Sequence, residues 1–262
     1  MNIKLPTMKK RLSFVFALLC AIAMQAQNVQ LHYDFGRAIY NDPTARPNVT
    51  STVEWFKLDR WGSTFMFTDL DYFSNGTGGA YMEISHEFNL DRAGMKQWAA
   101  HVEYNGGFNT NRDNSYASRY QHAFLLGPAW NWHNSDFSAT FSAQLMYKYY
   151  LPGHYSFQRA FNSFQATIVW SKTFCKGMGT FSGFADLWYD HNNKHNINKK
   201  AGSLVFLSEP QLWFNFDALK GLENTHLSVG TELELSQNFV YTDDTAKKFR
   251  AIPTLALKWT WK

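Results

Sequence analysis

Aromatic and acidic side chains share one face of the segment STFMFTDLDYF, residues 63–73. Taking every second residue gives Phe65, Phe67, Asp69 and Asp71, which stand together if the segment is a β-strand. Rings and carboxylates on one wall can stack against a flat ring and accept hydrogen bonds from sugar hydroxyls or from the edge of a base. The alternative is a pair of solvated carboxylates beside space-filling rings, and the residue types do not separate these two interpretations.

Acids and aromatic rings recur on one face of four further segments. Their residues are Tyr81, Glu83, Ser85 and Glu87 in AYMEISHEF, His101 and Glu103 in WAAHVEY, Phe184, Asp186, Trp188 and Asp190 in FADLWYD, and Glu209, Gln211, Trp213 and Asn215 in EPQLWFNF. Carboxylates in such a wall need partners or water, and Lys148 with the histidines offers some. Acids that line a pore favour cations or neutral polar solutes over anions.

The segment DFSATFSAQLMYKYY, residues 136–150, indicates which elements carry these faces. Phe137, Phe141 and Leu145 fall on one side, and mostly polar residues fall on the other. Strict alternation of this length is typical of a β-strand whose two sides meet different environments. A soluble β-protein would bury the apolar side in a core. An outer-membrane barrel would turn it toward lipid and keep the polar side within.

Composition favours the barrel. Aromatic residues make up 18% of the chain, although its mean hydropathy is only -0.37. A barrel combines both features, because aromatic girdles mark its two membrane interfaces while polar lumen residues cancel the lipid-facing ones in the average. Beyond the N-terminus no stretch approaches the ~18 unbroken apolar residues of a spanning helix, which excludes a helical membrane protein. A β-sandwich shares the alternation, but its core is not usually rimmed by Tyr and Trp at both ends.

Twelve alternating segments follow the N-terminal region, each near the ~9–11 residues that cross a bilayer at a tilt. They cover residues 29–38, 49–58, 63–73, 80–90, 97–108, 120–132, 137–150, 163–174, 180–190, 204–216, 226–239 and 252–261. Short connections follow the even-numbered segments and mostly longer ones follow the odd-numbered segments, with SNGTGG as the exception. The pattern predicts an all-β fold, a closed antiparallel transmembrane β-barrel of about 12 strands with a narrow bore and periplasmic short turns.

The N-terminus reads as a secretory signal peptide. Basic residues at positions 9–11 precede an apolar run from Leu12 to about Met24, and small residues follow up to Ala26. We expect residues 1–26 to be a signal peptide cleaved after Ala26 and residues 27–262 to be the barrel. The segment carries four of the 25 basic residues and no acid. The mature chain therefore has 21 basic and 21 acidic residues, and its net charge is zero. This balance gives no indication of a nucleic-acid partner, and the single remaining cysteine, Cys175, excludes an internal disulfide.

Part of the chain resembles the Tsx-like nucleoside-specific channels of bacterial outer membranes. The resemblance covers roughly residues 31–108, and it is carried by Phe65, Phe67 and Asp69 and by the run from Met82 to Asp91. It looks closest to a divergent branch of the kind found in Bacteroidetes. It implies a monomeric twelve-stranded barrel that passes nucleosides along lumen aromatics and carboxylates. The chain departs from the family at Leu70 and Asp71, where a small residue and proline are usual, and at Lys262, where the family ends in an aromatic residue.

We therefore expect an outer-membrane channel of a Gram-negative cell for small polar solutes, nucleosides being the favoured class, with no cofactor, no metal and no catalytic residue. The candidate solute-binding residues in the lumen are Phe65, Phe67, Asp69, Asp71, Glu83, His101, Glu103, Asp186 and Trp188. Its expected partners are membrane lipid and the solute. A plugged structural or adhesive barrel is one alternative.

A barrel hydrolase of phospholipase type is the other alternative. It would use His226 and Ser228, but alternation turns both away from lipid, where such an enzyme meets its substrate. His191 and His195 could hold a metal if they lay on a helix, but their Asn- and Lys-rich setting favours a solvated external loop.

Overall fold

A computed structural model describes residues 27–40, 47–74, 76–110, 117–153, 159–191, 203–239 and 249–261. The predicted signal peptide, His195 and Lys262 lie outside these ranges. Within the described part of the chain, no helix is long and apolar enough to cross a membrane.

Strands account for nearly all of the regular structure. They are β1 (Gln27–Asp34), β2 (Val49–Leu58), β3 (Gly62–Phe73), β4 (Gly76–Asn89), β5 (Trp98–Thr110), β6 (Ala117–Arg119), β7 (Ala123–His133), β8 (Ala139–Tyr150), β9 (Phe161–Phe174), β10 (Gly179–Asp190), β11 (Ser203–Ser208), β12 (Gln211–Asn215), β13 (Leu227–Gln237) and β14 (Arg250–Trp261). One short helix, α1 (Gly36–Ile39), follows β1, and three single-turn 3₁₀ helices lie at Asp91–Ala93, Cys175–Gly177 and Phe216–Ala218.

The strands form one closed antiparallel sheet. Each strand pairs with its neighbours, and the ring closes because β1 pairs with β14, with Gln27 opposite Trp261 and Asp34 opposite Thr254. Two pairs of strands share a position in the ring: β6 and β7 both pair with β5, and β11 and β12 both lie between β10 and β13. The fourteen strands therefore make a twelve-stranded barrel, as predicted.

Apolar residues face outward from this barrel. Leu126, Leu145 and Leu257 are 56%, 60% and 56% exposed, whereas the adjacent residues Leu125, Met146 and Ala256 point inward and are 2%, 1% and 1% exposed. Gln30 is 1% exposed and Lys148 is 6% exposed, so the covered side of the sheet is the side rich in hydrogen-bonding groups. This is the reverse of a soluble β-protein, and it confirms the inside-out arrangement expected from the alternation.

The two ends of the barrel differ in their connections. At one end, the terminal end, lie Gln27, Trp261 and the short connections 59–61, 90–97, 134–138, 175–178 and 216–226. At the opposite end, the loop end, the strands β1, β3, β5, β8, β10 and β13 finish. At the terminal end the Asp59 carboxylate accepts hydrogen bonds from the backbone N–H groups of Trp61 and Gly62, at 2.7 and 3.1 Å. The Trp61 bond holds the pKa of Asp59 below its ordinary value, and the turn is fixed in this way.

Three of the strands are shorter at one end than predicted. The first strand ends at Asp34 instead of position 38, because the Asp34 carboxylate accepts the Gly36 N–H at 2.5 Å where α1 begins. The strand predicted from Phe137 begins at Ala139, since Phe137 has a φ of 56° in the turn. The strand predicted from His226 begins at Leu227, since His226 also has a φ of 56°.

Two predicted strands are interrupted. The segment 204–216 breaks into β11 and β12 at Glu209 and Pro210, because proline has no N–H for the ladder. Opposite the break stands Gly183, with a φ of 150°. A Cβ at Gly183 would lie 2.4 Å from the Glu209 carbonyl oxygen. The segment 120–132 likewise becomes a strand only at Ala123, with β6 before it.

We expect Gly183→Ala to destabilise the folded barrel by about 1–3 kcal/mol, because the added methyl group meets backbone that has no room to move. Guanidinium unfolding in lipid vesicles measures this change. Gly177→Ala is the matched control, since Gly177 also has a positive φ, 94°, but no atom lies within 4 Å of the added carbon. Equal losses in the two variants would show that backbone conformation, and not the close contact, determines the cost.

Candidate functional site

All nine candidate residues lie on the inner face of the barrel, on β3, β4, β5 and β10. The pairing register places Asp69 opposite Thr52 of β2 and Tyr81 of β4, and it places Glu103 opposite Ser85. Asp186 stands opposite Thr167, and Trp188 stands opposite Gln165. The faces read from the sequence are therefore correct, and the solute-binding role of these residues stays a prediction.

Aromatic rings form a continuous row along the inner wall between β3 and the segment before β7. The ring centroids of Phe65 and Phe67, of Phe67 and Tyr81, and of Tyr81 and Tyr120 are each 6.0 Å apart. Phe65 is 36% exposed near the terminal end and Tyr120 is 39% exposed near the loop end, so both ends of the row reach water. We call these four residues the aromatic track.

Carboxylates flank the track on both sides. Asp69 accepts a hydrogen bond from the Thr52 hydroxyl at 2.5 Å, and Asp71 accepts one from the Thr50 hydroxyl at 2.6 Å. On β4 the Tyr81 hydroxyl donates to Glu83 at 2.6 Å. Each acid therefore has one oxygen held by the wall, which fixes the orientation of the carboxylate.

His101 links two of the acids on β4 and β5. Its Nδ1 lies 3.3 Å from Glu87 Oε1, and its Nε2 lies 3.2 Å from Glu103 Oε2. Glu87 also accepts hydrogen bonds from Asn131 at 2.5 Å and from Gln144 at 3.1 Å. Gln144 belongs to β8, three positions around the ring from β4, so this network joins distant parts of the wall.

Lys148 joins the remaining candidates from the other side of the bore. Its Nζ donates to Gln165 Oε1 at 2.8 Å and lies 5.3 Å from the ring centroid of Trp188. Glu103 and Lys148 stand opposite the same residue, Leu125, and hydrogen bonds link Lys148 through Gln165 and Thr167 to Asp186. The candidate Glu103 of β5 and the candidates of β10 thus lie around one ammonium group.

A family model described as "Domain of unknown function (DUF5020)" matches residues 26–261. The chain belongs to this family. No curated protein sequence matched it.

Among solved structures, this DUF5020 member is similar to the NanC porin, with a TM-score of 0.53 and 10% identity over 89% of this chain and 98% of that one. LpxR from Salmonella typhimurium gives a TM-score of 0.43 at 6% identity, over 89% of this chain and 99% of that one. The translocator domain of the autotransporter NalP from Neisseria meningitidis gives 0.39 at 8% identity, over 96% and 94%. The likeness to NanC concerns the fold, which is an outer-membrane type of barrel. None of these matches tests the resemblance to Tsx-like channels, which stays a prediction.

Large buried side chains occupy part of the lumen of this DUF5020 barrel. The largest side chains that are less than 2% exposed all belong to the inner face: Trp213, Met146, Ile252, Gln30, Val205 and Ser236. Trp213 donates its Nε1–H to Gln211 at 2.9 Å, and the ammonium of Lys258 lies 3.9 Å from its ring centroid. Trp213 and its neighbours therefore fill part of the lumen on the side opposite the aromatic track.

Several inner-face residues were missed from the sequence. Leu125, Val205 and Ile252 are apolar and buried within the barrel. A reading that turns apolar side chains toward lipid gives no signal for them. Met146 is buried there too, and this position was expected, because Met146 falls on the polar side of its segment. Lys258 could have been found, because it alternates with the outward residues of β14.

The structure also bears on the two alternative sites, the hydrolase pair His226 and Ser228 and a metal site. His226 precedes β13, and its Nδ1 lies 3.0 Å from Asp217 Oδ2, whereas the Ser228 hydroxyl donates to Asn215 at 2.8 Å. The prediction that His226 shares the lumen side of a strand with Ser228 was wrong, since the positive φ of His226 takes it out of the strand. Over the described ranges no cluster of His, Cys, Asp and Glu is arranged to hold a metal ion.

Proposed function

We propose that this barrel is a diffusion channel for small polar solutes in the outer membrane of a Gram-negative cell, with nucleosides as the favoured class. The observation that carries the proposal is the aromatic track with carboxylates fixed beside it. A nucleoside has a flat base that can stack on the rings, and it has sugar hydroxyls that can donate to the acids.

Passage would proceed by successive weak contacts. A base moving along the track meets rings at a regular centroid spacing of 6.0 Å, so it can begin to contact the next ring while it leaves the last. Aromatic contacts of this kind contribute about 0.5–1.5 kcal/mol each. Binding of this strength attracts the solute without trapping it, as conduction requires. No covalent step and no cofactor enter the proposal.

Besides stacking on the aromatic track, the charge of the lumen wall would select among solutes. The acids Asp69, Asp71, Glu83, Glu103 and Asp186 all face the lumen, and Lys148 and Lys258 are the lysines found on the inner face of the described strands. An acidic wall favours neutral or cationic solutes over anions. Neutral nucleosides fit this preference, and nucleotides do not.

The membrane orientation follows from the two ends of the barrel. The terminal end carries the short turns, which face the periplasm in outer-membrane barrels, and the loop end would face the exterior. We propose that the chain reaches the membrane through cleavage of residues 1–26 and that it acts as a monomer.

Planar-bilayer conductance tests the channel and its solute. Nucleosides, but not sugars of similar size, should reduce the current, and Asp69→Ala should raise the half-blocking concentration about fivefold, the loss of ~1 kcal/mol of hydrogen bonding. Glu223→Ala, in an exposed turn at the terminal end, is the matched control and should leave the block unchanged. If nucleosides do not change the current, the proposed specificity for nucleosides is wrong, although the barrel could still be a general channel.

The filled lumen favours a second candidate, a plugged barrel with a structural or adhesive role. Trp213, Met146 and Ile252 leave little room on their side of the bore. Liposome swelling distinguishes the two functions, because a plugged barrel admits no solute whatever its size. Swelling in small sugars together with a nucleoside-sensitive current would exclude the plugged barrel.

A further inference from the structure

The inner wall contains a group of side chains that surround one ammonium. Lys148 lies near the loop end of β8 and is 6% exposed, although its chain carries a charge. Its Nζ donates to Gln165 Oε1 at 2.8 Å and lies 5.0 Å from the ring centroid of Tyr150 and 5.3 Å from that of Trp188. Two aromatic faces and one amide oxygen therefore contact a single cation.

Carboxylates lie near this ammonium on two other strands. Glu103 of β5 and Lys148 of β8 both stand opposite Leu125 of β7. A chain of hydrogen bonds runs from Lys148 through Gln165 and Thr167 to Asp186 of β10. Burying an uncompensated charge is costly, whereas a cation among several acids is stabilised.

The two rings are themselves held in place. Tyr150 stacks on Phe161 with centroids 4.3 Å apart and planes 15° apart, and Trp188 meets Phe239 edge-on at 5.9 Å. Tyr150 also belongs to a buried cluster with Leu125 and Met146, against which Phe161 and Trp188 pack. Because Tyr150 and Trp188 are already held by these neighbours, binding of a cation does not cost the entropy of fixing their side chains. The site is therefore largely preorganised.

We propose that this group is a binding site for small primary alkylammonium ions and that Lys148 is its built-in occupant. Aromatic faces combined with carboxylates are the chemistry that recognises organic ammonium groups. The site is independent of whether solutes pass through the barrel, so it goes beyond the proposed channel. In the native protein a free amine has to compete with the tethered ammonium, which has a large advantage in effective concentration.

Removing the tethered occupant makes the site testable. Lys148→Ala deletes three methylenes and the ammonium beyond Cβ, and n-propylammonium has the same atoms. Adding n-propylammonium to the refolded variant in detergent should raise its melting temperature by about 3–6 °C at tenfold above the dissociation constant. The parent barrel, whose site is already filled, should show no such rise.

Two controls separate charge from volume. Lys148→Met keeps a chain of similar length without the charge, so the site is filled and n-propylammonium should not stabilise this variant. n-Propanol has the size of the amine without its charge and should leave Lys148→Ala unchanged. A rise of equal size with n-propanol would mean that the variant offers only an apolar cavity, and this result would overturn the proposal. A rise of equal size in Lys148→Met would overturn it as well, because the site would not be the one that is binding.

Acylation of the folded parent protein provides a test that does not need the variant to fold. Lysine-directed acylation followed by peptide mass spectrometry should modify Lys148 roughly tenfold more slowly than the exposed Lys172 near the terminal end of β9, because the reagent reaches a covered ammonium only when the barrel opens locally. Trp188→Leu removes one aromatic face and should speed the modification of Lys148. Equal rates at Lys148 and Lys172 would contradict an enclosed ammonium. Neither measurement needs a current, so a barrel that fails the conductance test can still pass this one.

Discussion

Replacing Leu145 with arginine should lower the free energy of unfolding in lipid vesicles by about 2–4 kcal/mol, the cost of an arginine near the bilayer midplane. Leu145 lies in the middle of β8 and is 60% exposed on the outward face. A guanidinium at this place would stand in hydrocarbon with no partner, because every strand neighbour on that face is apolar or aromatic: Leu126 and Tyr147 are more than half exposed beside it. Guanidinium titration of the refolded barrel gives the value.

The adjacent residue provides the control. Gln144 points inward and donates to Glu87 at 3.1 Å, so an arginine in its place meets a carboxylate. Gln144→Arg should therefore cost much less than Leu145→Arg, although it introduces the same charge one residue away. The reverse order would mean that the face bearing Leu145 is buried in a soluble core, and the barrel interpretation would then be wrong together with the proposed channel.

The sequence was sufficient for the architecture because each strand meets two different environments. Alternation placed Asp69, Glu103 and Asp186 on the inner face, and the structure confirms all three positions. Strand bounds were also close, since turns rich in Gly, Asn and Asp separate the segments. The periodicity of two, together with the difference between short and long connections, is thus enough to predict a closed barrel with about 12 strands.

Irregularities of the backbone were harder to predict. The strand predicted for residues 204–216 runs through Pro210, although a residue without an N–H interrupts a strand and the structure breaks there. By contrast, the helix after Asp34 and the positive φ of Phe137 and His226 depend on hydrogen bonds that form only when the chain has turned. A local pattern carries no information on these bonds.

The packing of side chains against one another in the lumen was not predicted. Leu125, Val205 and Ile252 face inward, where a rule that assigns apolar residues to lipid does not place them. The aromatic track depends on Tyr120, which approaches Tyr81 over Gly107: a Cβ at Gly107 would lie 3.0 Å from the Tyr120 ring. Such contacts join strands that are not neighbours, so they depend on the diameter of the closed barrel instead of on the pattern of any one strand.

The inner face of the barrel has two different sides, one lined by the aromatic track and the other occupied by Trp213. Polar side chains of β3 to β5 form hydrogen bonds mainly with adjacent strands, as Asp69 does with Thr52, and this leaves the aromatic track facing the lumen. On the other side, Trp213 of β12 reaches along the inner wall past β13 and β14 and meets His32 of β1 at a centroid distance of 6.1 Å. If solutes pass, the path should follow the track, and Trp213 should limit its width.

Trp213→Ala should consequently open the barrel. Trp213 is 1% exposed, and it contacts the Lys258 ammonium and the His32 ring. Its removal should lower the free energy of unfolding by about 3 kcal/mol, the lower end of the range for deleting a buried tryptophan, because water can enter the space that is left. Single-channel recording should show a clear increase in conductance, since the largest fully buried side chain of the lumen is gone.

Trp259→Ala is the control for this experiment, because Trp259 is 48% exposed on the outward face of β14, one residue from Lys258. It removes the same side chain from the lipid side and should leave the conductance unchanged. If both variants conduct like the parent, Trp213 does not limit the path. If Trp213→Ala alone conducts while the parent does not, the native barrel is plugged at this residue, and the channel proposed here would be the property of the variant only.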